Sequence, residues 1–308
     1  MKNVVALAGG VGAAKLLRGL ARIIPHENLL IIGNTGDDFE LYGLHISPDL
    51  DTVMYTLAGI ADEAKGWGIK NDTYHTLHML GKMGYETWFK IGDRDLATHI
   101  ARTKMLNEGK TLSQTTRKLC KMHNVKPTLT PMTNQPVKTK IISNKQTLNF
   151  QEYFVKNQTR NTVTNVLYEN AENAQPAPHI IQALLQAEQI IICPSNPILS
   201  IAPILAIPKI HEAIQKTEAH ITAISPIIAG KTLKGPADKI MTSMGHEASA
   251  QGVAEYYKHI IDEIIIDNLD AHQKSNIEKL GIHVKTTNTI MTTLEDSTQL
   301  AKTTLKKP

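Results

Sequence analysis

Sulfur chemistry is nearly absent from this chain: two cysteines, Cys120 and Cys193, stand far apart in 308 residues. They supply neither a disulfide framework nor a zinc ligand set. Long hydrophobic runs are missing too. The richest stretch, residues 198–207, is interrupted by Ser200 and Pro203 and is half of the roughly 20 residues that span a bilayer. Charge of one sign is not in excess. The 33 Lys and Arg against 29 Asp and Glu leave a net charge of +4, and Lys306-Lys307 is only a short basic tail. A nucleic-acid protein is not indicated. There is no Gly-x-Ser-x-Gly elbow and no His-x-x-x-His pair, which argues against hydrolase and zinc chemistry. The opening Met1-Lys2-Asn3-Val4 runs directly into a strand-like segment, so no signal peptide is expected. The sequons at Asn71 and Asn157 therefore carry no meaning. The chain reads as a cytoplasmic protein without a membrane segment.

What the sequence does hold is ordinary globular composition, 42% hydrophobic and 20% charged. Its length suits one large α/β domain with an insertion. Short β-branched runs at 4–8, 29–33, 190–193, 221–224, 263–266 and 282–284 alternate with helical patterns such as 13–24, 178–187 and 248–261. The runs are continuously apolar, which indicates strands covered on both faces, as in a parallel sheet. The expected fold is a Rossmann-like three-layer α/β/α sandwich with right-handed crossovers. Residues 96–175 break the rhythm. They offer two polar helices (97–107 and 113–123), a hairpin (138–142 and 147–150) turned at Asn144-Lys145, and a loop-like stretch over 157–173. The expectation is a core of 1–95 and 176–308 carrying an inserted cap of helices and hairpin over 96–175.

Candidate chemistry collects at the strand ends. After the first strand comes Gly9-Gly10-Val11-Gly12-Ala13-Ala14-Lys15. Its spacing is neither a Walker A nor a dinucleotide fingerprint. It is either a tight strand-to-helix turn or a phosphate cradle, and Lys15, one turn into the helix, favours the cradle. Asn34-Thr35-Gly36-Asp37-Asp38 and Ser47-Pro48-Asp49-Leu50-Asp51 follow the second strand. These carboxylates suit a divalent ion such as Mg2+, with Asp38, Asp49 and Asp51 as candidate ligands. Pro48 and the acidic residues after it are equally ordinary at a helix start. Trp67 is a packing residue or an aromatic platform. Lys90-Ile91-Gly92-Asp93-Arg94-Asp95, placed after a short strand, is either a solvated ion-pair set or a pair of basic residues, Lys90 and Arg94, suited to an anionic or polar substrate. Ser195 and Asn196 in Cys193-Pro194-Ser195-Asn196-Pro197 are N-caps, or offer amides to a nucleotide. Cys193 has no evident base and reads as a buried hydrophobe. Ser225-Pro226 and Lys234-Gly235-Pro236 are placed to line the same crevice.

Taken together, these motifs resemble the 2-phospho-L-lactate transferase (CofD) family. They are Gly9-Gly10-Val11-Gly12 with Lys15, Ser47-Pro48-Asp49-Leu50-Asp51-Thr52-Val53, Trp67-Gly68-Ile69 with Asn71-Asp72-Thr73, Gly92-Asp93-Arg94-Asp95 with Ala97-Thr98-His99, Pro194-Ser195-Asn196-Pro197, and Gly252-Val253-Ala254-Glu255-Tyr256-Tyr257. The resemblance runs in order from the first strand into the last third of the chain. It implies transfer of a phospholactyl group from lactyl-2-diphospho-5'-guanosine to the deazaflavin Fo, giving coenzyme F(420)-0 and GMP with Mg2+. It also implies a homodimer. Asp51, Lys90 and Arg94 would then contact Fo, and Asp49 and Asp51 would be catalytic and hold the metal with Asp38. Gly9, Gly10, Gly12, Lys15, Ser195 and Asn196 would serve the guanosine diphosphate. Ala13-Ala14 stands where some relatives carry Thr-Pro, which removes any hydroxyl role there. The alternative is a nucleotide-binding regulator of the same fold without transfer activity. Which three-carbon acid the donor carries is not written in these residues.

Overall fold

Val4–Ala8 forms strand β1, and all five residues are buried. Val4, Ala6 and Ala8 face one hydrophobic core while Val5 and Leu7 face a second. A strand with two apolar faces belongs inside a sheet covered on both sides. The computed structural model describes residues 3–143 and 146–305. Six further strands lie parallel in the same sheet: β2 (Leu29–Gly33), β3 (Thr128–Pro131), β4 (Gln189–Ile192), β5 (His220–Ile224), β6 (Glu263–Asp267) and β7 (His283–Thr287). Their order is β7-β6-β5-β4-β1-β2-β3. The order reverses between β1 and β4, the point at which open sheets of this kind leave a crevice beyond the strand ends.

Helix α1 (Gly10–Ile23) follows β1 and buries Ala13, Leu16, Leu17 and Leu20 at helical spacing. They pack with Leu50 and Val53 of α2 (Pro48–Leu57) into the first core. The C-terminal helix, Leu294–Leu305, lies so close to α1 that a Cβ on Gly19 would overlap the Ser297 carbonyl. The opposite face is covered by Ile180 and Leu184 of Ile180–Gln186 and by Ile210 of Pro208–Lys216. The fold is therefore the expected three-layer α/β/α architecture around a parallel sheet.

The departures have physical reasons. Helix α1 starts at Gly10 and not at residue 13, so the glycine run is its first turn, with Gly9 as the N-cap. After α3 (His75–Lys82), helix α4 (Asp93–Asn107) begins before residue 96, and α5 (Leu112–Met122) leads directly into β3. The 96–175 segment is thus only partly a cap, because β3 completes one edge of the main sheet. The rest of it forms a three-stranded antiparallel sheet in which Lys138–Ser143 lies between Thr147–Asn149 and Val163–Glu169. The last of these falls where a loop was expected. Only Val163 and Val166 are buried along it, a spacing of three that does not read as strand alternation, and the pairing is irregular at Ile142/Ser143. Among the described residues there is no strand just before Lys90. That stretch is held instead by the ring contacts of Phe39, Trp88 and Phe89. The proposed Asn144-Lys145 turn, Met1-Lys2 and Lys306-Lys307 lie outside the described residues. Among those residues, no single helix is long and apolar enough to cross a membrane.

Candidate active site

A crevice of about 670 Å3 opens at the switch point. Gly9, Gly10, Gly12 and Lys15 from the start of α1 line it, together with Ser195 and Asn196 after β4. These two segments touch. The Gly9 amide donates to Ser195 Oγ at 3.3 Å, and a Cβ on Gly12 would overlap the Pro194 carbonyl oxygen. Glycine at position 12 is therefore required by the neighbouring turn, whatever the ligand. Asn196 is indeed a cap: its Oδ1 accepts from the amides of Ile198 and Leu199, each at 3.0 Å. Its Nδ2 is left buried without a partner, a donor available beside the crevice. Lys15 Nζ donates to the Met291 carbonyl at 2.7 Å. Burial, then the charge of Lys234, hold its ammonium below the usual lysine range.

The carboxylates divide into two sets. Asp49, on the first turn of α2, is buried against Gly9, and its Oδ2 accepts from Asn34 Nδ2 at 2.9 Å. Burial pushes its pKa up to about 6, although the Asn34 and Gly10 hydrogen bonds oppose the shift. Asp37 also lines the crevice. Burial, then the charge of Asp49, hold its carboxyl well above the usual range, and its Oδ1 is buried without a partner. Asp51 is different. Arg102 of α4, itself 1% exposed, donates Nη1 to Asp51 Oδ2 at 3.0 Å and Nη2 to Asp51 Oδ1. Arg102 Nη1 also lies 3.2 Å from His99 Nδ1. An arginine can only donate, so the His99 proton belongs on Nε2, which stands 3.2 Å from Asp95 Oδ1. Tyr55 donates its hydroxyl to the same Asp95 oxygen at 2.7 Å.

The crevice also has a large apolar lining. Ile46, Trp67, Phe89, Phe150, Phe154 and Val155 line it, and Phe150 and Phe154 stack at 5.4 Å with 9° between their planes. Lys90, Pro226 and Lys234–Pro236 line the same cavity; the last two follow β5 as expected, whereas Lys90 follows no strand among the described residues.

The comparisons with known proteins agree along the chain. The sequence model of the family described as 2-phospho-L-lactate transferase CofD matches residues 4–301. The chain belongs to the CofD family. A phosphoenolpyruvate transferase of Kitasatospora aureofaciens is 41% identical, over 98% of this chain and 97% of that protein. A 2-phospho-L-lactate transferase of Methanosarcina mazei is 38% identical, over 97% of this chain and 98% of its own length. A crystal structure of a UPF0052 family protein from Bacillus halodurans superposes with a TM-score of 0.67 at 17% identity, covering 99% of this chain and 100% of that one. That last likeness concerns the fold alone. As a member of the CofD family the chain is an enzyme, a transferase.

Within this CofD crevice, nine of the expected site residues meet: Gly9, Gly10, Gly12, Lys15, Asp49, Asp51, Lys90, Ser195 and Asn196. Two do not line it. Asp38 is half-buried outside the lining, with its Oδ2 engaged by His45 Nε2 at 2.9 Å and by Ser47 Oγ at 2.7 Å. Arg94 is exposed and donates to the Lys70 carbonyl at 3.4 Å. Its neighbours are structural. Asp93 accepts from the His75 and Thr76 amides at the start of α3, and Asp72 accepts from the Arg94 and Asp95 amides at the start of α4. The two CofD motifs thus cap each other's helices. Asn34, Asp37 and His99 fall within the sequence motifs without individual roles there, and Arg102 is not singled out by them. Asp37 and His99 line the crevice, and Asn34 and Arg102 hold Asp49 and Asp51 from behind it. Cys193 is buried, and burial pushes its thiol far above the ordinary range, so it is no nucleophile.

Proposed function

We propose that the enzyme moves a phospholactyl-type group, lactyl or enolpyruvyl, from a guanosine-diphosphate-activated donor to Fo, releasing GMP. With the lactyl donor the product is coenzyme F(420)-0. One observation carries this reading: an amide-rich, lysine-bearing helix start, several aromatic side chains and Asp51 line one cavity. The first set suits a diphosphate and the second a planar deazaflavin. In the reaction, the acceptor hydroxyl oxygen bonds to the lactate-bearing phosphorus. The phosphorus–oxygen bond to the guanylate phosphate breaks, and the hydroxyl proton is released. Such transfers depend on positioning and charge neutralisation. Asp51, its lone pairs oriented by Arg102, accepts the hydroxyl hydrogen bond, and Lys90 holds the acceptor. The amides of Gly10 to Gly12, with Lys15, neutralise the leaving guanylate.

The resemblance implies Mg2+, and the residues fit it at a different pair from the expected one. Among the described residues, no group of three or more His, Cys, Asp or Glu side chains is arranged as a metal cage. The expected set of Asp38, Asp49 and Asp51 is divided, because the Arg102 guanidinium already supplies the positive charge beside Asp51 and Asp38 is outside the lining. Asp37 and Asp49 are both buried and, among the described residues, neither has an ion-pair partner; Asp37 Oδ1 is orphaned. Two carboxylates plus substrate phosphates are a common Mg2+ ligand set. A bound Mg2+ would draw charge from the diphosphate during transfer. The same reading has a homodimer working in the cytoplasm, which light scattering at micromolar concentration tests for its oligomeric part.

The test is incubation with Fo, Mg2+ and each guanylated donor, followed by chromatography for a new acidic deazaflavin and GMP. Product with one donor supports the reading and names the acid. Absence of product with both rejects it.

A further inference from the structure

Residues 231–236 leave the sheet after β5 and fold back through a short antiparallel pair, Ile227–Ile228 with Lys231–Thr232. Ala229 and Gly230 turn that pair with φ of 49° and 77°, and Gly235 has φ of 84°. From this strap Lys234 reaches a second loop, residues 62–68, which follows α2. Its Nζ donates to the Ala64 carbonyl at 3.4 Å, and a Cβ on Gly66 would collide with that same nitrogen. The 62–68 loop is in turn tied to α1 by an ion pair between Glu63 and Arg18. One loop comes from the β1–β3 half of the sheet and the other from the β4–β7 half. Their contact therefore crosses the switch-point crevice, and both Lys234 and Gly66 line it.

We propose that Lys234 is a second phosphate-binding cation, facing the same anion as Lys15, and that its strap closes the crevice over a bound diphosphate. The inference deepens the donor reading given above and rests on it for the identity of the nucleotide, but not for the phosphate chemistry. Four lysines line the cavity: Lys15, Lys65, Lys90 and Lys234. Lys65 is paired with Asp62 at 3.0 Å. Lys15 and Lys234 have no carboxylate within ion-pairing distance among the described residues, and the contact each makes is to a backbone carbonyl, Met291 and Ala64 respectively. Two ammonium groups sharing one cavity repel each other, and Lys15 is shifted down first by burial and next by Lys234. An anion placed between them removes that repulsion and satisfies both. A neutral carbonyl is a weak partner that Lys234 can exchange for a charged oxygen, because charge-assisted hydrogen bonds are about twice as strong as neutral ones. The 3.4 Å contact is long for a hydrogen bond, so little is lost in the exchange.

The consequence is a strap whose closed position is favoured by phosphate. It explains why a lysine and not an apolar residue reaches across the mouth beside the exposed Leu233. A second phosphate-facing lysine also needs no new metal or backbone cradle, since a point charge on a flexible stem adapts to either phosphate of a diphosphate.

The experiment compares wild-type protein, Lys234→Gln, Lys234→Ala and Lys234→Arg by titration calorimetry in Mg2+ buffer. The probes are inorganic pyrophosphate, GDP and guanosine. Lys234 is on an exposed strap, and circular dichroism confirms that each variant is folded. The expected result is about tenfold or greater loss of pyrophosphate and GDP affinity for the Gln and Ala variants. The Arg variant should lie within a fewfold of wild type, and guanosine should be unaffected. Pyrophosphate binding within twofold of wild type in Lys234→Ala, or an equal loss for guanosine, would overturn the inference in favour of a purely structural latch. No pyrophosphate binding to the wild type overturns it as well. Pyrophosphate binding that depends on Lys234, with no preference for GDP over other nucleoside diphosphates, supports it and removes only the guanylate part of the donor reading.

Discussion

Arg102 holds Asp51 with both terminal guanidinium nitrogens, and the two residues are 1% and 5% exposed. The pair joins α4 to α2 behind Asp51, which lines the crevice. It fixes the direction in which an acidic residue in an otherwise ordinary helix start points. Breaking a buried pair from one side leaves a charge without compensation, at about 3–5 kcal/mol. Arg102→Met should therefore lose stability of that order in urea unfolding. Asp51→Asn/Arg102→Met should recover most of it while remaining inactive. Equal unfolding midpoints for the single and double variants would remove the pair from the account. Asp51→Asn that turns over near the wild-type rate would remove Asp51 from the chemistry.

Asp49 presents the opposite case, a buried carboxyl without an ion-pair partner among the described residues. Its folded-state pKa, raised to about 6 from the ordinary 3.8, means that the native state keeps its proton where the unfolded state has lost it. Stability contributed by the protonated form is present below about pH 4 and is lost as the pH rises through about 6. In metal-free protein, Asp49→Asn should thus be more stable than wild type at pH 7.5, by on the order of 1–3 kcal/mol. The difference should vanish near pH 4. Mg2+ should raise the melting temperature of wild type but not of Asp49→Asn or Asp37→Asn. A difference independent of pH, or equal Mg2+ shifts in all three proteins, would count against the Asp37 and Asp49 assignment.

The fold was legible where one segment decided its own structure. Val4 to Ala8 and Leu29 to Gly33 are apolar without a break, and a strand buried on both faces needs nothing more. The glycine run and the Ser195-Asn196 turn were legible as strand-end motifs, which topology then brings together. Other features depended on partners far away in the chain. Arg102 is one of several charges on a polar helix, and its significance comes from Asp51, 51 residues earlier. Asp37 and Asp38 are consecutive acids in a turn, so nothing in the sequence says which one enters the cavity and which one meets His45. Arg94 looked like a ligand because of its charge, yet the work of its motif is done by Asp72 and Asp93 on backbone amides.

Gly12 separates helix propensity from packing. At an exposed helix position, replacing Gly by Ala gains about 1 kcal/mol. Here the added methyl overlaps the Pro194 carbonyl oxygen, so the 194–196 turn must move. Gly12→Ala should lose about 1–3 kcal/mol of stability. Turnover should fall further, since a shift of about 1 Å at a positioning group can cost on the order of 100-fold. A stabilised and fully active Gly12→Ala would show that α1 and the turn are not packed as described.

Two of the lysines that line the crevice, Lys15 and Lys90, should have separable roles. Lys15 is half-buried beside the amides of Gly10 to Gly12, and its ammonium is held by the Met291 carbonyl. Lys90 is exposed and adjoins Phe89, one of the aromatic residues that line the crevice. If the helix start takes the guanylated donor and the aromatic side chains take the deazaflavin, each lysine serves one substrate. Lys15→Ala should then raise KM for the donor about tenfold, the scale of one charge-assisted contact, with little change for Fo. Lys90→Ala should do the reverse. Because Lys15 is less solvated, its loss also removes packed methylenes, so Lys15→Met is the stricter comparison: it keeps the stem and deletes the charge. Steady-state kinetics with each substrate varied in turn decide the matter. If Lys15→Met and Lys90→Ala raise both KM values equally, the crevice is not divided between donor and acceptor in this way.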